Sequence, residues 1–543
     1  MTTLLIRRGA ALLALTGLAL LAPACSINRE PVYEKAPEAI FADFANYPGL
    51  VAKVYAGLAT TGQQGPAGKG DVKGLDEGFG QYTRALFNCQ ELTTDVAVVA
   101  WNDFGLSDMH AMTWNSTNQF PQSMFIRIFY QVSLCNEFLR QTTDDKLASN
   151  NISGANAETV RKYRAEVRFL RALSYWHAVD MFGNVPFVTE NDQIGVGRPK
   201  RGTRAELFNY VETELLDIAG DNGALPNARA AQYGRADKGA AWMLLAKLYL
   251  NAEVYTGQAK NAECLTYCTK LINAGYTLNP TYRNLFLADN NTSPESIFNI
   301  PFDGLRTQTF GGSTFLVNAT LGGDIDAAKA RSGFGTTGTW QGLRTTKALV
   351  NLFPDTTTRC PDKRFLFGSL GQSLEINVIS TFRQGFRLAK WRNLTSTGQP
   401  GSNVTDGKAD IDIPLFRLAD VYLMYAEAVL RGGGGNRADA LNYVNLVRQR
   451  AYNVTPGTVN RAGDITDADL TLDFLLKERA RELYTECHRR TDLIRFGKFT
   501  SGYNWPWKGT VAQGEDVPAF RTLFPIPESE LGVNPNLIQN DGY

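Results

Sequence analysis

The sequence predicts a mainly α-helical protein: a scaffold of tetratricopeptide-like helical hairpins carrying an irregular, partly β, loop-rich insertion. Three observations predict it. Apolar residues recur at i, i+3, i+4 and i+7 through most of the first half of the chain. Two distant segments read as copies of one helical hairpin. Between them, over about 280–415, glycine and threonine multiply and the helical period fades.

In chain order, residues 26–45 read as a tether, Tyr47–Thr61 has helical spacing, and Gly62–Gly80 is too glycine-rich for anything but a loop. Ser123–Arg140 carries a stripe of Phe125, Ile128, Phe129, Val132, Cys135, Phe138 and Leu139, the pattern of an amphipathic helix. Arg161–Phe182 is apolar on more than one face, which predicts a central buried helix ended by Gly183 with Pro186 beyond. The first hairpin is Ala236–Glu253 followed by Ala259–Tyr276. The second is Leu418–Arg431, a Gly432–Gly435 turn, then Arg437–Ala451. Both place small residues (Ala240, Ala246; Ala426, Ala428) where paired helices must approach closely. Within the insertion, Asn279–Pro301 and Gly304–Gly342 read as loops, and Ile376–Trp391 and Ile411–Phe416 as strands. Loops mounted on a rigid scaffold are where binding residues concentrate.

The chain is 543 residues long and 44% hydrophobic, enough for a large core and more than one domain. With 55 basic against 54 acidic residues it has no electrostatic footprint for nucleic acid or an anionic membrane. Apart from Cys25 there are six cysteines, at irregular spacings, which predicts mostly free, buried thiols.

The N-terminus has a basic pair, Arg7 and Arg8, an apolar run from Ala10 to Ala22, and then APAC. That run is too short to span a bilayer and sits where a secretory segment belongs. Cys25 directly after Ala24 predicts a lipoprotein signal over residues 1–24, with the thiol acylated; the other reading is an ordinary signal peptide cut nearby. Two or three acyl chains anchor stably at about 0.8 kcal/mol per buried methylene.

Catalytic signatures are weak. His110, His177 and His488 show no metal spacing, and there is no HExxH, CxxC pair or GxSxG elbow. Gly333–Gly338 matches G-x-G-x-x-G but neither follows a clear strand nor opens a helix. Asp95, Asp103, Asp324 and Asp326 are carboxylates of the type that pair in glycoside hydrolysis, though any long chain offers as many. The expectation is no enzyme, no cofactor and no metal. Binding is better supported. Sugars are held by aromatic rings against the apolar face of a pyranose, with amides and carboxylates on the hydroxyls. Trp101-Asn102-Asp103 and Trp340-Gln341 have that composition and lie in loops, ahead of Trp114-Asn115 and Trp505/Trp507. For any one of these rings, a partly buried core aromatic is the competing reading.

The last stretch, Leu523–Tyr543 (LFPIPESELGVNPNLIQNDGY), has neither helical nor strand period. Pro525, Pro527 and Pro535 remove donors both structures need, so it reads as an extended tail tethered by side chains. This tail resembles the terminal signature of the SusD/RagB family, with Asp541 where that family most often has proline. Further blocks are similar: ELTTDVAVVAWNDFGLSD (Glu91–Asp108), Tyr163–Glu190, Pro414–Arg431 and Lys477–Lys498. In the last, Cys487 replaces a usual glycine and Thr491 a usual aromatic. Spacings of three and four among Glu478, Arg481, Glu482, Glu486 and Arg490 predict ion-pair ladders along one helix, and a structural role for Glu486, Arg489 and Asp492.

The resemblance implies a surface lipoprotein of the outer membrane that acts as a hinged lid over a TonB-dependent, SusC-like barrel transporter. It would capture an oligosaccharide, or in some members a peptide. By analogy with the family's sugar-binding members, Trp101, Asn102 and Trp340 would form the ligand platform, with Asp103 and Arg84 as hydrogen-bonding partners. Some relatives bind calcium; Asp410-x-Asp412 lacks the loop spacing that would predict an ion here. The implied organisation is a signal peptide (1–24), a lipidated tether (25–45), and an N-terminal helical region with ligand loops and the first hairpin (46–280). The insertion (281–415) and a C-terminal helical region with the signature tail (416–543) follow. A helical-repeat scaffold lipoprotein that binds protein and no nutrient is the alternative.

Overall fold

A computed structural model describes residues 37–63, 70–453 and 461–543. The signal segment, Cys25 and the tether up to residue 36 lie outside the described residues. From residue 37 onward the chain is engaged with the body: Pro37–Phe41 is a short helix, and the buried Phe41 ring packs edge-on against Tyr47 and Phe138.

The scaffold is helical. Its first helices are α1 (Tyr47–Ala59), α2 (Tyr82–Gln90), α3 (Gln119–Gln141) and α4 (Gly154–Met181). Next come α5 (Arg204–Ala219), α6 (Lys238–Leu250) and α7 (Asn261–Ile272). After the insertion follow α8 (Leu418–Leu430), α9 (Arg437–Ala451), α10 (Leu472–Leu483) and α11 (Arg489–Arg495). Several of these starts have a side-chain cap. Asn118, Thr203, Asp237, Asn436 and Thr471 each accept a first-turn amide, and Thr203 completes a capping box with Glu206. The stripe of α3 is buried as its period predicts, except for the half-buried Phe129. Helix α4 is enclosed on several sides and stops where Gly183 takes φ 72°, a conformation open to glycine; a side chain there would also press on Leu523.

From α3 to α9 each of these helices packs on the next, so the two predicted hairpins, α6–α7 and α8–α9, stack into one continuous row. Ala240, Ala246, Ala426 and Ala428 are fully buried at those crossings. The insertion leaves this row after α7 and returns at α8 without breaking it.

Within the insertion, β2 (Ser296–Ile300) pairs antiparallel with β6 (Ile413–Arg417). A second, antiparallel sheet joins β1 (Val98–Val99) to β3 (Leu343–Thr345), β5 (Phe386–Leu388) and β4 (Phe367–Gly368), in the order β1-β3-β5-β4. The expected strand Ile376–Trp391 is therefore mostly irregular. Gly385 turns the chain at φ 89°, the Gln384 side chain accepts the amides of Asn377 and Val378, and the Arg344 guanidinium takes the carbonyls of Ile379, Thr381 and Gln384. Those groups are no longer free to form a ladder.

The expected helical ladder through Glu478–Arg490 is also interrupted. Helix α10 ends at Tyr484 (ψ 142°), and Thr485 and Cys487 have φ of 63° and 64°. Of the spacings that predicted the ladder, Glu478–Arg481 alone forms a bridge within the helix among the described residues. The other charges form a buried network across elements. Arg417 bridges Glu295, Glu482 and Glu486; Arg450 joins Glu295 to Glu482; Arg364 joins Asp362 to Glu478 and Glu482. Lys390 meets Glu486, Arg489 meets Asp95, and Asp492 is shared by Arg479 and Arg495. Glu486, Arg489 and Asp492 are thus structural.

The tail is held by side chains, as its prolines predict, with one short helix, α12 (Glu528–Val533), inside it. Gln539 bonds both backbone groups of Ile526. Asn540 Nδ2 donates to the carbonyls of Phe182 and Phe524 at 2.9 and 2.7 Å. Trp114 Nε1 donates to the Tyr543 hydroxyl, which donates to Leu523 O.

Candidate ligand-binding site

The four-stranded sheet brings two distant loops together. Trp101 follows β1, and Trp340 precedes β3, the strand that pairs with it. Trp101 Nε1 donates to the carbonyl of Trp340 at 2.9 Å, so the two loops are fixed to each other. Gly342 makes this possible, because a β-carbon there would lie 2.5 Å from the Trp101 ring. The Trp340 loop is pinned from beneath, with Trp340 N on Asn318 O and Gln341 N on Leu321 O. Gln341 is exposed, with φ 53°.

Arg84, on α2, lies under this pair. Its guanidinium sits 3.8 Å over Phe315 and 5.4 Å from Trp101. Burial lowers its pKa to about 10, against the opposing pull of Asp76 and Asp103. Its Nε has no hydrogen-bond partner among the described residues. Asn102 and Asp103 are exposed at the rim, and Phe104 beside them is 79% exposed. Sequence reasoning missed Phe310, whose ring lies 6.5 Å from Trp340 and 3.5 Å below the ammonium of Lys408. Phe310 is 37% exposed, while Lys408 is almost fully covered. The Phe310-Gly311-Gly312 run was the only local signal for it.

The structure thus assembles Trp101, Trp340 and Arg84 with Phe310 into a half-open aromatic surface over a guanidinium, rimmed by Asn102, Asp103 and Gln341. Such a surface can stack flat rings and offer hydrogen bonds at its edge. The other tryptophans go elsewhere. Trp114 anchors the tail, Trp505 is fully buried, and Trp507 Nε1 donates to Ile376 O. The carboxylates do not converge: Asp95 is held by Arg489 and Tyr503, Asp324 by Arg383, and Asp326 caps a short helix. Gly333–Gly338 runs out of the end of helix Ala327–Phe334, and Gly335 N is spent on that helix, so it is no dinucleotide loop. His110 and His177 are buried, and burial lowers their pKa values to about 4 and 3.

Comparison with known proteins agrees with this architecture. A family model described as "SusD family" matches residues 374–543, and one described as "Starch-binding associating with outer membrane" matches 69–250. The Starch-binding protein SusD of Bacteroides thetaiotaomicron is 36% identical, over 91% of this chain and 92% of that protein. SusD-like protein P25 of Formosa agariphila is 27% identical over 72% of this chain and 75% of its own length. Among solved structures, a SusD homolog from Bacteroides thetaiotaomicron superposes with a TM-score of 0.71 at 20% identity, covering 93% of this chain and 98% of its own. Surface glycan-binding protein A from the same organism, in complex with laminarihexaose, gives 0.67 at 20% identity, covering 91% and 99%. The structural matches establish the fold, and the identity to SusD across nearly the whole chain establishes kinship: this protein belongs to the SusD family.

Proposed function

We propose that this protein is a glycan-binding lipoprotein of the outer membrane. It captures an oligosaccharide and delivers it, as a hinged lid, to a TonB-dependent barrel transporter. The observation that carries the reading is the aromatic surface of Trp101, Trp340 and Phe310 over Arg84, in a chain 36% identical to a starch-binding protein. In this reading the indole faces stack on pyranose rings, while Asn102, Asp103 and Arg84 bind hydroxyls; the site binds and does no chemistry. A gluco-oligosaccharide is the favoured cargo. Among the described residues no helix is long and apolar enough to cross a membrane, so Cys25, after the 1–24 signal, supplies the anchor in this scheme. In this scheme the tether of the 25–45 segment ends before Pro37, where the chain already packs on the body, 46–280 and 281–415 carry the ligand loops, and 416–543 locks the tail.

Calorimetric titration of the mature chain, from Ser26, tests this. The panel includes maltoheptaose, other oligosaccharides and peptides, each run against the wild type, Trp101→Ala and Trp340→Ala. Heat with maltoheptaose that either variant loses supports the reading. Heat with peptides alone redirects it to peptide cargo, and wild-type silence across the panel overturns it in favour of a protein-binding scaffold.

A further inference from the structure

Away from the aromatic platform lies a cleft of about 510 Å³ between the open face of α1, the 232–235 turn and the end of β2. That volume falls in the range of about 300–1,000 Å³ typical of small-ligand sites. Its walls are mainly apolar, with the rings of Tyr163 and Tyr233 partly open to it. Gly234, at φ 77°, holds the turn against Pro301, where a β-carbon would come within 2.6 Å of the proline ring.

Two polar features define what it takes. Asn299 is only 4% exposed and lines the cleft. Its Nδ2 donates to the Tyr233 hydroxyl at 2.7 Å, which is committed to Asp412, but its Oδ1 has no partner among the described residues. Because the Tyr233 hydroxyl donates its proton to Asp412, only the amide nitrogen can pair with it, so Oδ1 is the atom left without a donor. The charged side chain on the wall, Arg235, is paired with Glu166 behind it. The cleft is therefore electrically neutral, ring-lined, and short of one donor.

We infer that this cleft is a second saccharide site that accepts a neutral pyranose unit, with a sugar hydroxyl donating to Asn299 Oδ1. The inference rests on the platform reading, because one segment borders both places: Pro301 and Thr307 line the cleft, and Phe310 belongs to the platform. Three residues of chain span at most about 11 Å. A single neutral oligosaccharide, or two chains of one polymer, can thus be gripped at two neighbouring points.

The test uses maltoheptaose and the mature chain. Trp101→Ala/Trp340→Ala removes the platform. Ala52→Trp fills the cleft from an exposed position on α1, and Thr307→Trp fills it from the opposite wall. The platform variant is expected to retain binding at least about tenfold weaker than wild type. Amide exchange over residues 296–307 should still slow with sugar, and either filling substitution should abolish both signals. If wild type binds and the platform variant shows neither residual heat nor slowed exchange, the cleft site is overturned while the platform reading stands. Residual binding that both filling variants leave untouched also overturns it. Silence of the wild type in both measurements overturns the two together.

Discussion

Trp101 presents its ring to the surface while its Nε1 ties the platform's two loops together through the Trp340 carbonyl. The two roles separate experimentally. Trp101→Phe keeps a stacking face and loses the tie, so maltoheptaose affinity should fall about threefold; Trp101→Ala loses both and should cost more than about tenfold by calorimetry. The Trp101-Asn102-Asp103 cluster stood out as a candidate because ring, amide and carboxylate stand adjacent in sequence, and the fold ties Trp101 to Trp340. Phe310 and Lys408 did not, because their contact joins positions far apart in the chain and only the fold creates it. Cys487 shows a different kind of legibility. It occupies φ 64°, where relatives usually have glycine, so the family pattern recorded a backbone demand. Placing a β-branched side chain there should be worse than placing none. Cys487→Val is expected to lower Tm, while Cys487→Gly stays within about 1 kcal/mol of wild type in thermal unfolding.

At the scale of elements, the helices were readable from a long apolar period, as in the Ser123–Arg140 stripe of α3 and in the α6–α7 and α8–α9 hairpins. What misled was spacing without context. Glu482 and Glu486 stand four apart, yet the helix ends between them, and both carboxylates converge on Arg417 from different backbone conformations. Likewise the β-rich texture of Ile376–Trp391 yields only Phe386–Leu388, because arginine and glutamine side chains take its backbone groups. The tail was read well, since prolines exclude the regular alternatives, but its short helix Glu528–Val533 carried no periodic signal. Its attachment is testable: Asn540→Ala leaves the carbonyls of Phe182 and Phe524 without their shared donor. Denaturant unfolding should show a loss of about 2 kcal/mol with little change in m-value.

The molecule as a whole is knitted by buried charge. Burial would raise the pKa of Glu482, but Arg450, Arg417 and Arg364 outweigh it and bring it down to about 2. Asp492 likewise falls to about 2, its burial outweighed by Arg479 and Arg495. Both values lie below the ordinary carboxylate range, so folding favours the ionised forms. The stability they contribute is complete above about pH 5 and is lost as pH falls from about 4.5 toward 2. Because His110 and His177 are held neutral by burial, Tm should begin to fall below about pH 6.5 and drop more steeply below about pH 5, where the carboxylates join them, in a circular-dichroism series. The pairs fall into three clusters, around Arg417, around Arg489 and around Asp492, that are spread through the described body: Asp95 lies before β1, Asp362 and Lys390 in the insertion, and Glu478 and Asp492 near the C-terminus. Removing one partner strands an unpaired charge, a loss of about 3–5 kcal/mol, so the parts they join do not separate readily. Together they act as an internal splint. On the proposed reading, sugar caught on the platform would therefore be felt at the far end of the molecule as the displacement of one stiff piece, and small-angle scattering should give the same radius of gyration with and without maltoheptaose.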